Sequence, residues 1–137
     1  MKVFELGQIA KILDMTPAKA KNWTIGRPFK LEPSIKAASG QGSRNLFSLE
    51  DVYLMGVANE LSHMGMAAKA IGKFVEALKK KFPNGLADVE VVFVSRKKLV
   101  FRIETNPERL PVDALVKLQV DVKSLRERID QEVERLK

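Results

Sequence analysis

Residues 7–23 read GQIAKILDMTPAKAKNW, and the two halves of this stretch decide the fold. Leu6, Ile9, Ala10 and Leu13 recur at helical spacing on one face, with Lys11 and Asp14 off it. Asp14-Met15 interrupts the pattern. Thr16-Pro17 restarts it, with a hydroxyl suited to an N-cap and a proline suited to the first helical position. The second helix is short, ends near Ile25-Gly26 and turns Ala20 and Trp23 inward. Two helices joined by a turn of a few residues make a helix-turn-helix unit.

Outward from this unit, periodicity disappears between Arg27 and Phe47. Pro28, Pro33, Ser34, Ser39, Gly40, Gly42 and Ser43 mark a long loop or β-wing. The loop is basic: Lys21, Arg27, Lys30, Lys36 and Arg44 surround a single acid, Glu32. Ser48 and Asp51 then form a capping box that opens a helix through Val52, Met55, Ala58 and Leu61, broken at Gly65. A further helix carries Ala67, Ile71, Phe74, Val75, Leu78 and Phe82 and stops at Pro83-Asn84-Gly85.

Two β-rich runs follow, Val89 to Val94 and Leu99 to Ile103, joined by Ser95-Arg96-Lys97-Lys98. In the second, Leu99, Phe101 and Ile103 share one face and Arg102 and Glu104 the other. The first is apolar on both faces, so one side meets the helices or a second subunit. Beyond Pro107 and Pro111, Leu115, Leu118, Val122, Leu125, Ile129 and Leu136 fall at alternating spacings of three and four, with Glu132 breaking the series. That spacing predicts a heptad seam along roughly 35–40 Å of helix, paired between two copies as a coiled coil.

The charge is unevenly placed. Residues 1–48 hold eight Lys and Arg against three Asp and Glu, most of the chain's net +7, whereas residues 112–137 are neutral. A basic front and a neutral heptad end fit a dimer that grips a polyanion with one half and itself with the other. With no cysteine and His63 as the sole histidine, thiolate metal sites and multi-histidine centres are excluded, and a Ser–His–Asp hydrolase is disfavoured. No nucleophile–base pair or carboxylate pair sits in a recognisable motif, so the expectation is no enzyme, no metal and no cofactor. No run approaches the ~20 apolar residues of a membrane span and no signal segment opens the chain, which predicts a cytoplasmic, nucleoid-associated protein without a membrane partner.

Three pieces, in order, resemble the DNA-binding domain of the MerR family of transcription regulators. GQIAKILDMTPAKAKNW (7–23) is similar to its opening helix-turn-helix, RNLFSLEDV (44–52) to its wing exit, and ELSHMGMAAKAI (60–71) to the hinge between its third and fourth helices. The resemblance covers about half the chain. It departs from the family where Lys21-Asn22-Trp23-Thr24 replaces the usual Arg-Tyr-Tyr-Glu, and where Asn45 takes the place of the usual wing arginine, with Arg44 one residue earlier. What it implies is a homodimeric regulator of duplex DNA, with promoter distortion for RNA polymerase as an available mechanism.

The expected architecture is therefore mainly α. It comprises a winged helix-turn-helix domain over residues 1–83, a β-hairpin and linker over 84–111, and a C-terminal coiled-coil dimerisation helix over 112–137. Thr16, Lys19, Lys21 and Asn22 are the side chains near the start of the second helix that can reach DNA. Asn22 can bond adenine bidentately and Lys19 can reach guanine, so these two are the expected base readers. Lys21, Lys30, Lys36 and Arg44 are the expected phosphate contacts, and Arg27 is a further expected DNA-binding residue. Two rivals stand beside this reading: an architectural, excisionase-like or partition accessory DNA-binding protein, and a dimeric protein-interaction module that binds no DNA.

Overall fold

Helix α1 (Leu6–Leu13) buries Ile9, Ala10 and Leu13 of the expected face and Ile12 beside it, while Leu6 is only partly buried. It ends in a Schellman turn: the Met15 amide reaches back to the Ala10 carbonyl at 3.0 Å, and Asp14 adopts the left-handed conformation (φ 51°, ψ 50°). A short acidic side chain tolerates that conformation better than most non-glycine residues do. Helix α2 (Pro17–Ile25) starts at once, its Lys19 amide donating to the Thr16 hydroxyl at 3.2 Å and Pro17 occupying the first turn. Gly26 closes it at φ 93°. The computed structural model describes residues 3–26, 29–35, 45–114 and 117–136.

Strands β1 (Val3–Phe4) and β2 (Phe47–Ser48) pair antiparallel, with Phe4 opposite Phe47, and so tie the chain's start to the far end of the loop. Helix α3 (Leu49–His63) begins with the expected capping box: the Ser48 hydroxyl accepts from the Asp51 amide and the Asp51 carboxylate from the Ser48 amide. Helix α4 (Ala68–Lys81) buries Ile71, Phe74, Val75 and Leu78.

The later part departs from expectation. Strands β3 (Val91–Lys97) and β4 (Val100–Glu104) form the hairpin, but β3 runs through Lys97, so the turn is Lys98-Leu99 rather than Ser95 to Lys98. A further strand, β5 (Lys117–Asp121), pairs antiparallel with β3 on its other side, giving the order β4-β3-β5. Val92, Val94, Phe101, Ile103, Leu118 and Val120 share the face turned to the helices, and Phe101 meets Phe74 of α4 edge-on at 5.3 Å. Helix α5 (Val122–Arg135) follows directly, its start capped by Asp121, whose carboxylate accepts from the Ser124 amide and hydroxyl.

The chain is thus mixed α/β, with helices packed on antiparallel sheets, and not mainly α with a coiled coil. The expected seam residues have other tasks. Leu118 is a strand residue opposite Val94. Val122, Leu125 and Ile129, with Val133, lie buried in the same apolar core as α1 and α3. Leu136 lies past the helix end and is 40% exposed, and Leu115 falls outside the described residues. The reason is that a three–four spacing marks a helix with one apolar face and does not say whose surface that face meets. Burying four such side chains is worth roughly 6–12 kcal/mol at ~1.5–3 each, comparable to the whole stability of a small domain. Polar contacts fix the packing: the Tyr53 hydroxyl on α3 donates to Asp130 at 2.7 Å, and Arg126 donates to the Val89 carbonyl at 2.7 Å. Burial first, and then the Asp130 carboxylate, hold the Tyr53 hydroxyl well above its ordinary range, so it remains a donor. Among the described residues no helix is long and apolar enough to cross a membrane.

Candidate nucleic-acid interface

Helix α2 has two unlike faces. Ala20, Trp23 and Thr24 are buried, the Thr24 hydroxyl donating to the Ala20 carbonyl at 3.0 Å. Ala18, Lys21, Asn22 and Ile25 are exposed at spacings of i, i+3, i+4 and i+7, one continuous stripe. Ile25 is 49% exposed at the end of this stripe, where it can meet a thymine methyl. Among the described residues no ion pair or hydrogen bond engages the Lys21 or Asn22 side chains, and both face solvent.

Lys19 is not on that stripe. Its Nζ donates to the Asn59 side-chain carbonyl at 3.0 Å and lies 4.9 Å from the Trp23 ring centroid. Asn59 is buried in the middle of α3, and its Nδ2 donates to the Leu13 carbonyl at 3.1 Å, satisfying one of the acceptors left free at the end of α1. Lys19, Asn59 and Leu13 thus form one polar chain linking α2, α3 and α1. Three residues separate Lys19 from Asn22, yet the longer side chain folds back over Trp23, where a buried amide and an aromatic face compete with solvent for its ammonium.

The base of the basic loop is firmly placed. Phe29 stacks on Trp23 with ring centroids 5.0 Å apart, and the Leu31 amide donates to the Trp23 carbonyl at 2.9 Å. Phe29 also presses on α4: a Cβ at Gly72 would lie 2.7 Å from Phe29 Cβ, so only glycine fits there. Ser34 donates through its amide and hydroxyl to the Asp51 carboxylate, at 2.9 and 2.7 Å, and the Ile35 amide donates to Leu46 at 3.2 Å. The loop therefore leaves and rejoins the domain at one point, beside the start of α3. Lys30 is exposed, with Glu32 at 3.5 Å. Thr16 is spent on the N-cap, though it too is exposed. Arg27, Lys36 and Arg44 lie outside the described residues.

Behind the turn, a cleft of about 570 Å³ is lined by Lys11, Asp14, Asn59, His63 and Arg128. His63 ends α3 in an exposed position. Among the described residues, no three His, Asp or Glu side chains are grouped closely enough to hold a metal ion.

Reading the sequence missed Asn59, Phe29 and Ser34. A signal for the first was present: in VYLMGVANEL (52–61), Asn59 is the one amide inside an apolar helical run, and a buried amide needs partners. For Phe29 and Ser34 there was none, since both act through distant residues. A scan of the chain against protein-family models finds no match, and a search of curated proteins finds none either.

Proposed function

We propose that this chain binds duplex DNA through α2 and acts as a sequence-specific transcription regulator of winged helix-turn-helix type. The observation that carries the proposal is the Ala18–Lys21–Asn22–Ile25 stripe: a short, capped helix with its far face locked by Trp23 and Lys19, and its near face left to solvent with one cation, one amide and two apolar groups. A helix of this kind lies in a major groove with its exposed stripe against base edges. Asn22 reads a base, Lys21 reaches a base edge or phosphate, and Ile25 packs on a methyl group. Lys30 and the cations of the loop supply phosphate contacts flanking the groove. The resemblance of residues 7–71 to the MerR DNA-binding domain supports the same docking. DNA binding would also place the protein on the nucleoid and near RNA polymerase.

A second reading is favoured by one observation. Because α5 is spent on the chain's own core, no free coiled coil remains among the described residues to set the distance between two half-sites. That suits an architectural or excisionase-like protein bound at single sites better than a regulator whose half-site spacing is set by such a helix.

The test is titration of wild type against random duplex and against duplexes enriched by repeated selection, over a range of salt. The proposal expects an affinity that falls steeply with salt, by about one unit of log–log slope per phosphate contact, and a selected sequence preferred over random. A salt-independent or undetectable interaction would leave the protein-interaction reading in its place.

A further inference from the structure

Strand β5 is an edge: β3 pairs with one side of it, and among the described residues no backbone group pairs with the other. Whichever alternate set of β5 amides and carbonyls faces β3, the complementary set points outward. Such an edge is a template for another strand. Its five residues, Lys117-Leu118-Gln119-Val120-Asp121, have a further property. Turned about a two-fold axis through Gln119 and laid antiparallel on itself, this strand sets Lys117 opposite Asp121 at both ends, Leu118 opposite Val120, and Gln119 opposite its own copy. The exposed face (Lys117, Gln119, Asp121) then carries two ion pairs around an amide pair. The face toward the helices carries four aliphatic side chains, each only half-buried in the single chain.

The ground beside this edge matches. A groove of about 390 Å³ runs between β5 and the end of α3, lined by Val57, Leu61, Met64, Val120 and Leu125, with the Arg128–Glu60 pair at its rim. Met64 stands 77% exposed at the mouth of that groove. A second strand on β5 would bring an aliphatic side chain over that groove.

We propose that the outer edge of β5 is a docking surface for a second copy of this chain, paired antiparallel in the register centred on Gln119, giving a continuous six-stranded sheet. A two-fold contact uses the same patch twice, so charge and apolar groups must complement themselves, and these five residues do. The sheet pairing takes the place of the expected coiled coil. It does not rest on DNA binding and would hold for a chain that binds no nucleic acid.

The absence of cysteine permits a direct test. Gln119→Cys places one thiol on the proposed axis, and Arg102→Cys, on the opposite edge strand, serves as control. Mild oxidation should convert the first variant to a disulfide dimer and leave the second without a crosslink. Wild type should sediment as a dimer, and Gln119→Arg or Gln119→Glu alone should self-associate about five-fold more weakly, since like charges meet across the axis. An equimolar mixture of the two should recover dimer, which a merely misfolded variant would not do. A monomeric wild type overturns the proposal. So does a wild-type dimer for which the Gln119→Cys variant crosslinks no faster than the Arg102→Cys variant, because it would place the contact elsewhere.

Discussion

The two halves of this chain carry equally regular apolar patterns and yielded to reading unequally. In the front half, from β1 to α4, most helix ends fall where a local chemical signal stands: Thr16-Pro17, Gly26, Ser48 with Asp51, Gly65 and Pro83, although α4 starts after Ala67 without a side-chain cap. In the rear half, the three–four spacing from Leu115 to Leu136 pointed to one long helix, and the chain instead makes a strand and a shorter helix. The difference teaches that caps locate elements better than periodicity does. A cap is a bond between near neighbours and forms wherever its residues allow. An apolar spacing is a demand for cover that any surface can meet.

The sharpest way to break the comparison is at Ile129, which is 1% exposed beside Gly56 and Leu13. If α5 belongs to the core, Ile129→Ala should cost about 2–5 kcal/mol, and Ile129→Asp should leave the chain unfolded, its carboxylate having no partner inside. Urea denaturation followed by circular dichroism measures both. A well-folded Ile129→Asp chain with unchanged midpoint would return α5 to a surface role.

Next in size are the groups on α2. Asn22→Ala should reduce discrimination between a selected duplex and random DNA by about 1–3 kcal/mol, with folding unaffected. Lys21→Ala should weaken binding and flatten the salt slope by about one unit if it touches a phosphate, or relax the sequence preference if it touches a base. Equal losses for Asn22→Ala on selected and random DNA would show that this stripe does not read sequence.

Lys19→Ala sharpens the same region from the inside. Because its ammonium holds Asn59 and covers Trp23, its loss should lower stability by about 1 kcal/mol, read in the urea midpoint, with discrimination largely retained. Loss of discrimination at unchanged stability would instead return Lys19 to the DNA surface.

The smallest effect expected is electrostatic and lies in the rear half. A hydrogen bond from Lys81, at 3.1 Å, holds the Glu104 carboxyl below its ordinary value of 4.5 against the opposing effect of burial, and Arg102 adds to the same direction. A lowered carboxyl stabilises the folded chain above that ordinary value, and the contribution disappears as pH falls through the lowered one. Melting temperature should therefore drop on acidification more steeply in wild type than in Glu104→Gln. Parallel curves would mean that the pair is no stronger folded than unfolded.

Much of the candidate site was legible in advance: the helix-turn-helix, the exposed Asn22 and Lys21, and the buried Ala20 and Trp23 all follow from spacing and a cap. The place of Lys19 was not, because spacing fixes where a Cα points and not where a four-carbon side chain goes when an aromatic face and a buried amide are in reach. Strand β5 was hidden for a related reason. In Lys117 to Asp121 the apolar residues alternate, but Leu118, Val122 and Leu125 also satisfy a helical register, so period two and period three–four coincide across the junction.

What the sequence determined by itself was local. It set the turns, the caps and the two faces of α2, because each depends on bonds between residues a few positions apart. Which apolar faces meet was decided only in the folded chain. There β3 gained a second partner strand, α5 found α3 and α1, and Asn59 gathered Lys19 and Leu13 from 40 and 46 residues away. Contacts at such separations are selected by the joint filling of one core, and no single segment records the outcome.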